Sequence, residues 1–132
     1  MTALSVVQAA HFLGVSDDTV RRWIAIGRIS GSQKGNGQTM IDGLELAHLI
    51  KAQATHPDDP TNVASSARNR WVGLVTEVRS DKVMSQVEIQ CGPHRLVSLM
   101  STDAVQELGL APGALATAVI ESTDVVVEVP DE

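Results

Sequence analysis

Apolar residues follow two different periods along this chain of 132 residues. Up to about residue 52 they recur every three or four positions, as on one face of a helix; from about residue 71 they alternate with polar residues, as in a half-buried strand. Between these regions, residues 53–65 contain two prolines and adjacent acidic residues without an apolar period, which is typical of a linker. The pattern predicts an α+β chain of two domains, residues 1–53 and 65–130, joined by residues 54–64.

Start and stop signals predict three helices in the first domain. The capping residues are Ser5, Ser16 and Asp42, and the glycines expected to end helices are Gly14 and Gly27. Gln8 and Glu45 each lie three residues after a capping residue, which is the spacing of a reciprocal capping box. Between the second and third helices, residues 28–41 predict a small β-hairpin.

Alternating segments in the second domain predict five strands and one helix. The strands are Trp71–Arg79, Val83–Gln90, Arg95–Met100, Leu115–Ile120 and Val125–Val129, and the helix runs from a cap at Ser101 to Leu108. In the second strand, Ser85 shares one face with Val87 and Ile89. Five short strands with one inserted helix suit a small closed β-barrel.

The distribution of charge limits where a nucleic acid can bind. The whole chain has a net charge of −6. Residues 1–56 hold five basic and four acidic residues, a net of +1, whereas residues 57–132 hold five basic and twelve acidic residues, a net of −7. Any contact with DNA is therefore expected in the first domain.

The remaining composition argues against several classes of protein. A single cysteine, Cys91, excludes an intrachain disulfide and suits a reducing cytosol. Neither a secretory leader nor a membrane-spanning run is evident, so a cytoplasmic protein is expected. No catalytic motif predicts an enzyme. The histidines, none of which has the spacing of metal ligands, are His11, His48, His56 and His94.

Two predicted helices joined by a tight glycine turn form a helix-turn-helix unit, whose second helix would enter the major groove of DNA. On that helix, Val20, Trp23 and Ile24 form the apolar stripe and leave Arg21 and Arg22 on other faces. Guanidinium groups can bridge phosphates or grip guanine through paired donors. In the alternative interpretation, both arginines are a solvated helix face and the unit mediates protein contacts.

The segment LSVVQAAHFLGVSDDTVRRWIAIGRI, Leu4–Ile29, resembles the MerR and excisionase type of winged helix-turn-helix, and the resemblance covers roughly residues 3–52. It implies DNA binding through the second helix and a basic wing, although the wing here, residues 30–39, has only one basic residue. Because one such unit would hold DNA weakly, a second copy is expected to engage another half-site. The predicted DNA-binding residues are Ser16, Thr19, Arg21, Arg22, Arg28 and Lys34.

Four motifs of the second domain resemble molbindin, or Mop, domains of the TOBE type. They are SARNRWVGLVTEV (Ser66–Val78), VMSQVEI (Val83–Ile89), STDAVQELGLAPG (Ser101–Gly113) and ESTDVVV (Glu121–Val127). The resemblance covers residues 64–129. It implies a five-stranded barrel of the oligonucleotide/oligosaccharide-binding (OB) type that binds molybdate or tungstate between the subunits of a homo-oligomer, a dimer or a hexamer.

A tetrahedral dianion offers only acceptor oxygens, so its site must supply hydroxyls, backbone N–H groups and cations. Ser66 and Arg68 lie two residues apart on an extended segment, and Ser101 begins a helix whose first N–H groups lack partners within the helix. The resemblance implies that Ser66, Arg68 and Ser122 come from one subunit, and Ser101 and the backbone near Ala104 from its neighbour. The predicted oxyanion-binding residues are Ser66, Ala67, Arg68, Ser101, Ala104, Glu121 and Ser122.

Glu121 departs from the family pattern, which usually has lysine there. A carboxylate repels a dianion by roughly 1 kcal/mol in water and by several in a drier site. Three alternatives are open. Glu121 pairs with Arg68 or Arg70; Lys82 or Arg95 of a neighbouring subunit offsets its charge; or the site no longer binds an oxyanion and the barrel only builds the oligomer.

Taken together, these features predict a transcription regulator that senses molybdate or tungstate and controls genes for oxyanion uptake or for the molybdenum cofactor. The alternative is an intracellular store or buffer of these oxyanions, in which the first domain mediates protein contacts. A third possibility is an excisionase-like architectural DNA protein whose barrel is only an assembly unit.

Overall fold

The computed structural model describes residues 2–55, 58–61 and 63–131. Two compact units divide the chain, residues 1–55 and 56–132. Within the described ranges, no helix is long and apolar enough to cross a membrane. His56 and two other residues of the predicted linker, Pro57 and Asn62, lie outside the described residues.

The first unit contains three helices and a three-stranded antiparallel sheet. Its elements are β1 (Ala3–Ser5), α1 (Val6–Leu13), α2 (Asp17–Ala25), β2 (Gly31–Gln33), β3 (Thr39–Asp42) and α3 (Gly43–Gln53). The strand order is β1-β3-β2, so the predicted hairpin is confirmed. The sequence did not predict β1, whose three residues pair with β3.

Local capping explains where α1 and α2 begin and end. The Ser5 N–H donates to Gln8 Oε1 at 2.9 Å and the Gln8 N–H donates to Ser5 Oγ at 3.2 Å, so this predicted capping box is confirmed. Gly14 ends α1 at a φ of 69°, in the left-handed region that favours glycine. The second helix ends at Ala25, two residues before the predicted stop.

The second predicted capping box forms only in part. The Glu45 N–H donates to Asp42 Oδ2 at 3.1 Å, as expected of a capping residue. The Glu45 carboxylate, however, accepts from the Ser30 N–H at 2.7 Å, so its predicted bond back to Asp42 is wrong. Asp42 is also the last residue of β3, paired with Ala3, and Glu45 instead ties the start of α3 to the segment before β2.

The core of the first unit joins all three helices to the hairpin. Its buried residues are Val6, Ala9, Ala10, Val20, Ile29, Ile41 and Leu46. Trp23 and Ile24 of α2 pack against this core, as the apolar stripe predicts. The opposite face of α2 is therefore left towards solvent.

The second unit is a curled antiparallel sheet with one helix. Its elements are β4 (Asn69–Ser80), β5 (Met84–Cys91), β6 (His94–Ser101), α4 (Thr102–Leu108), β7 (Leu115–Ile120) and a 3₁₀ turn over Ser122–Asp124. The strand order is β6-β5-β4-β7. Four of the five predicted strands and the helix are thus confirmed, with strand ends shifted by up to two residues.

The long strand β4 changes partner near its middle. Residues 69–74 pair with β7, and from Leu74 onwards the strand pairs with β5, with a register shift between Val75 and Glu77. Gly73 lies at this change. A Cβ atom there would be 2.5 Å from the Gln90 carbonyl oxygen and 2.6 Å from Cys91 Sγ, so only glycine fits without displacement.

The predicted fifth strand is wrong. Residues Val125–Val129 pair with none of the four strands, because the 3₁₀ turn redirects the chain after β7. The valines of this segment are 46–84% exposed. The sheet consequently has two free edges, β6 and β7, and one chain does not close the barrel that the sequence predicts.

Candidate nucleic-acid and anion sites

The exposed face of α2 carries the predicted DNA-binding arginines. Val20 is fully buried and Ile24 packs beside it, whereas Arg21 and Arg22 are exposed. At 100° per residue, Arg22 points directly away from the average direction of Val20 and Ile24, and Arg21 lies to one side. The helix can therefore present guanidinium groups to a groove without disturbing its core.

Two other predicted DNA-binding residues are engaged in capping. Ser16 Oγ accepts from the Thr19 N–H at 3.2 Å and lies 2.9 Å from Thr19 Oγ1. Their hydroxyls are therefore used to begin α2, and their contribution to a DNA surface is to position the helix.

The β2–β3 hairpin lies beside α2. A cleft of about 440 Å³ is lined by Arg21 and Ile24 of α2, by residues 5–7, and by residues 37–39 of the hairpin. Lys34 is exposed in the hairpin turn, where its N–H donates to the Gln38 carbonyl oxygen at 2.8 Å. Arg28, which follows α2, stacks over the Trp23 ring with 4.4 Å between its guanidinium carbon and the ring centroid.

The predicted oxyanion residues fall into two groups, and β4 separates them. Asn69 and Ile120 are the last pair of β4 with β7, so Ser66–Arg68 directly precede this end of the sheet and Glu121 and Ser122 directly follow it. Ser101 pairs with Met84, next to the other end of β4. A strand of twelve residues spans up to about 40 Å. One chain therefore does not bring the two groups to a single point.

Backbone donors near both groups already have partners within the chain. The Ala67 N–H donates to Ser65 Oγ at 3.1 Å. At the start of α4, the Ala104 N–H donates to Ser101 Oγ at 3.1 Å and the Thr102 N–H to the Val83 carbonyl oxygen at 2.8 Å. The donors that remain most accessible are side chains, namely the Ser66 and Ser122 hydroxyls and the Arg68 guanidinium, all on exposed residues.

The structure decides one alternative for Glu121. Arg70 forms an ion pair with Asp59 and also donates to Thr61 Oγ1 at 3.1 Å, so the predicted pairing of Glu121 with Arg70 is wrong. Hydrogen bonds from Thr61 and Arg70 lower the pKa of Asp59 to about 2, which keeps this carboxylate charged at neutral pH. Arg68 and Glu121 make no ion pair with any described residue.

The structure also bears on the alternative in which Lys82 or Arg95 of a neighbouring copy offsets the charge of Glu121. Arg95 donates to Glu88 Oε2 at 2.5 Å, and Thr76 Oγ1 donates to the other carboxylate oxygen at 2.8 Å. The hydrogen bond from Thr76 and, to a smaller extent, that from Arg95 lower the pKa of Glu88. Because Arg95 already has a partner, this alternative depends mainly on Lys82.

A chain of three hydrogen-bonded hydroxyls, of which only that of Ser85 is buried, lies beside the start of α4 and was missed by sequence reasoning. Thr102 Oγ1 donates to the Asp81 carbonyl oxygen at 2.9 Å, so it must accept from Ser85 Oγ at 2.8 Å. Ser85 is 1% exposed and must in turn accept from Ser80 Oγ at 2.7 Å. The signal was available, since Ser85 is the polar residue on the inward face of its strand.

We expect the central hydroxyl of this chain to contribute most to its stability. Ser85→Ala removes both hydrogen bonds of the one buried hydroxyl, whereas the exposed Ser80 can bond to water and Thr102 keeps its bond to the Asp81 carbonyl oxygen. The variant should therefore lower the free energy of unfolding by about 1 kcal/mol. Ser80→Ala removes only the terminal donor and should cost less than half as much. Urea unfolding of both variants measures the difference, and equal losses would contradict the directed chain.

Among the described residues, no group of three or more His, Cys, Asp or Glu side chains is arranged to hold a metal ion. Cys91 is buried, which raises the pKa of its thiol. The candidate sites are therefore a helix face with exposed arginines in the first unit and two groups of hydrogen-bond donors in the second.

Both units match models of known protein families. The model of a helix-turn-helix domain matches residues 3–54, and that of a TOBE domain matches residues 65–127. Molybdenum-pterin-binding protein 1 of Clostridium pasteurianum is 40% identical over 63 residues, which are 47% of this chain and 93% of that protein. Molybdenum-pterin-binding protein 3 of the same organism is 38% identical over the same shares.

Two solved structures are similar to the second unit. MopII from Clostridium pasteurianum has 37% identity and a TM-score of 0.47, with 50% of this chain and all of that chain covered. The cytoplasmic molybdate-binding protein ModG, solved with molybdate bound, has 36% identity and a TM-score of 0.50, with 55% of this chain and 52% of that chain covered.

Proposed function

Because the chain belongs to the TOBE-domain family of the molybdenum-pterin-binding proteins and carries a helix-turn-helix domain ahead of its TOBE domain, we propose that it is a DNA-binding transcription regulator that senses molybdate or tungstate. The observation that carries the proposal is the presence of both domains in one chain. Its targets are genes for oxyanion uptake or for the molybdenum cofactor, and it acts in the cytoplasm.

The chemistry of the second unit supports a tetrahedral dianion as the ligand. Ser66, Arg68 and Ser122 supply two hydroxyls and one guanidinium at the start of β4, all on exposed residues. The guanidinium can only donate hydrogen bonds, and the hydroxyls can donate them as well as accept them. This set suits a ligand that has acceptor oxygens on every side. Ser101, whose hydroxyl hydrogen is still available while its oxygen caps α4, completes the site from a neighbouring copy.

Assembly is part of this proposal, because β4 separates the two groups of donors within one chain. An open groove of about 610 Å³ lies between the free edges β6 and β7 and is lined by apolar residues such as Leu96, Met100 and Leu115. The valine segment, Val125–Val129, is the most exposed apolar stretch of the same unit. We assign these two surfaces to the contact between copies, so ligand binding is linked to assembly.

We expect the valine segment to be necessary for this assembly. The double variant Val126→Asp/Val127→Asp should shift the chain from an oligomer to a monomer, because each buried valine contributes about 1.5 kcal/mol and buried carboxylates are unfavourable. Light scattering during size-exclusion chromatography measures the mass. Val63→Asp, at another exposed valine that lies outside the segment, is the control. A wild type that stays monomeric, or a double variant that assembles normally, would contradict the assignment.

Molybdate or tungstate can change DNA binding only through different affinities for two arrangements of the copies. In the proposed mechanism, the ion joins donors from two second units and thereby fixes the spacing of two helix-turn-helix units. Arg21, Arg22 and Arg28 supply the charge that faces DNA, and the β2–β3 hairpin acts as the wing with Lys34. Residues 1–56 have a net charge of +1, whereas the rest of the chain is strongly negative, so the first unit is the part that suits DNA.

A gel-shift titration tests the proposal directly. The full chain is titrated against a labelled fragment from upstream of its own gene, with excess competitor DNA, at about 0.1 M salt. We expect specific binding whose midpoint changes at least fivefold on addition of molybdate but not of sulfate. Arg21→Ala/Arg22→Ala should abolish the shift, and Lys51→Ala on α3 should preserve it. Absence of binding would contradict the regulator and leave the storage role, whereas binding unaffected by oxyanion would contradict the sensor.

A further inference from the structure

The pair formed by Arg28 and Trp23 is held from two directions. The Arg28 guanidinium carbon lies 4.4 Å from the centroid of the Trp23 ring, well within the range of a cation–π contact. The Arg28 N–H also donates to the Trp23 carbonyl oxygen at 2.9 Å, and the Ile29 N–H donates to the same oxygen at 3.3 Å. Because Trp23 packs against the core, both the backbone and the side chain of Arg28 are tied to a rigid element.

The contact with the Trp23 ring leaves the N–H donors of Arg28 available. The ring face attracts the guanidinium through its positive charge, so the contact does not depend on a hydrogen bond from its N–H groups. Arg28 is exposed, and within the described part of the chain it forms no ion pair. Nothing in the first unit uses these donors, which suits them to an anionic partner outside the chain.

The position of the pair on α2 indicates which anion this is. Arg22 points away from the core, and its neighbours Arg21 and Trp23 lie about 100° to either side. Arg28, stacked on Trp23, therefore lies on one flank of the helix, and Arg21 lies on the other flank beside the hairpin cleft. A helix in the major groove, which is about 12 Å wide, has base edges in front of it and phosphates on its flanks.

We propose that Trp23 is a positioning residue that holds Arg28 ready to contact a DNA phosphate. The proposal rests on the proposed DNA-binding function and adds a role for an aromatic residue that the sequence assigns to the core alone. Arginine loses considerable side-chain freedom when it binds a phosphate, and a prior stack removes much of that loss before DNA arrives. Trp23 thus contributes to DNA affinity through Arg28 and not through a contact of its own.

A double-mutant cycle tests this role. The full chain is titrated by anisotropy against a labelled mixed-sequence duplex of about 25 base pairs at several KCl concentrations. Arg28→Ala should weaken binding five- to tenfold and reduce the salt slope by about 0.9, the value for one phosphate contact. Trp23→Leu should weaken binding by a smaller factor, roughly two- to threefold, with an unchanged slope, because the charge remains and only the prior ordering of Arg28 is lost. The combined variant should bind no more weakly than Arg28→Ala alone.

Controls separate positioning from a loss of structure. Trp23→Phe retains an aromatic face and should bind nearly as well as the wild type, and Lys51→Ala should show that removal of any one basic residue does not reproduce the effect. If circular dichroism shows Trp23→Leu to be unfolded, the cycle is run with Trp23→Met in its place, and Trp23→Phe remains the aromatic control.

The outcomes distinguish this proposal from the proposed function. A wild type that binds the duplex, with effects of Trp23 and Arg28 that add, would overturn the positioning role alone. The same holds if Trp23→Phe loses as much affinity as Arg28→Ala. A wild type that binds no duplex even at low salt would overturn the DNA-binding function, and this proposal with it.

Discussion

Replacement of Arg68 by alanine is expected to weaken molybdate binding about 100-fold, or roughly 3 kcal/mol, without unfolding the second unit. Arg68 directly precedes β4 and is the cation of the proposed oxyanion site, and a hydrogen bond between two charged groups is among the strongest that a site can supply. The residue is exposed and forms no ion pair with the described residues, so its loss leaves no buried charge behind.

Calorimetric titration of the full chain with molybdate, tungstate and sulfate measures this effect. Arg22→Ala is the matched control, because it removes the same charge from an exposed position of the first unit, outside both groups of predicted oxyanion donors. We expect its affinity to stay within twofold of the wild type. Unchanged affinity in Arg68→Ala would show that the oxyanion is bound elsewhere.

The reciprocal substitution at Glu121 extends the same experiment. Because Glu121 and Arg68 each lie one residue beyond the Asn69–Ile120 pair, Glu121→Lys should bind molybdate more tightly, and Glu121→Gln, which only removes the negative charge, should fall between it and the wild type. Weaker binding in both variants would instead assign Glu121 a positive role, such as holding Arg68 in place.

Replacement of Gly73 by alanine is expected to destabilise the second unit by about 3 kcal/mol, a large share of the stability of a unit of this size. The added Cβ would lie 2.5 Å from the Gln90 carbonyl oxygen and 2.6 Å from Cys91 Sγ. Neither atom can move freely, since both belong to the strand that pairs with β4 where β4 changes partner.

Urea unfolding followed by Trp71 fluorescence, in a Trp23→Phe background, reports on the second unit alone. Gly92→Ala in the same unit is the comparison, because a Cβ there meets nothing within 4 Å and its cost, about 1 kcal/mol, comes only from the left-handed φ of 58°. Adding Cys91→Ala to Gly73→Ala should recover only part of the loss, since the clash with the carbonyl oxygen remains. A Gly73→Ala unit as stable as the wild type would mean that β4 and β5 cross with more room than their geometry indicates.

The same strand explains why the composition of the oxyanion site was harder to predict than the fold. From the residues alone, Ser66 and Ser101 are two predicted donors of one site, and it is the family resemblance that implies that they come from different subunits. The pairing of Asn69 with Ile120 and of Met84 with Ser101 assigns them to opposite ends of β4. Such a separation depends on strand register, which joins residues distant in sequence and which no local signal specifies.

The features that could be predicted from the sequence alone were local ones. The Ser5–Gln8 capping box, the left-handed Gly14 and the alternation along β5 each depend on residues within a few positions of one another, and each formed as predicted. Together with the two family resemblances, these signals established the helices, the hairpin, four strands and the identity of both domains.

The partners of side chains and strands, in contrast, depended on the tertiary structure. Glu45 bonds to the Ser30 N–H and not back to its cap, Arg70 pairs with Asp59 and not with Glu121, and the valine segment has no strand beside it. A charged group or a strand edge pairs with whichever partner the fold brings near. The valine segment has a pattern typical of a strand, but none of the four strands of the unit pairs with it. Their pairing depends on surfaces far away in sequence or, as we propose, on a second copy.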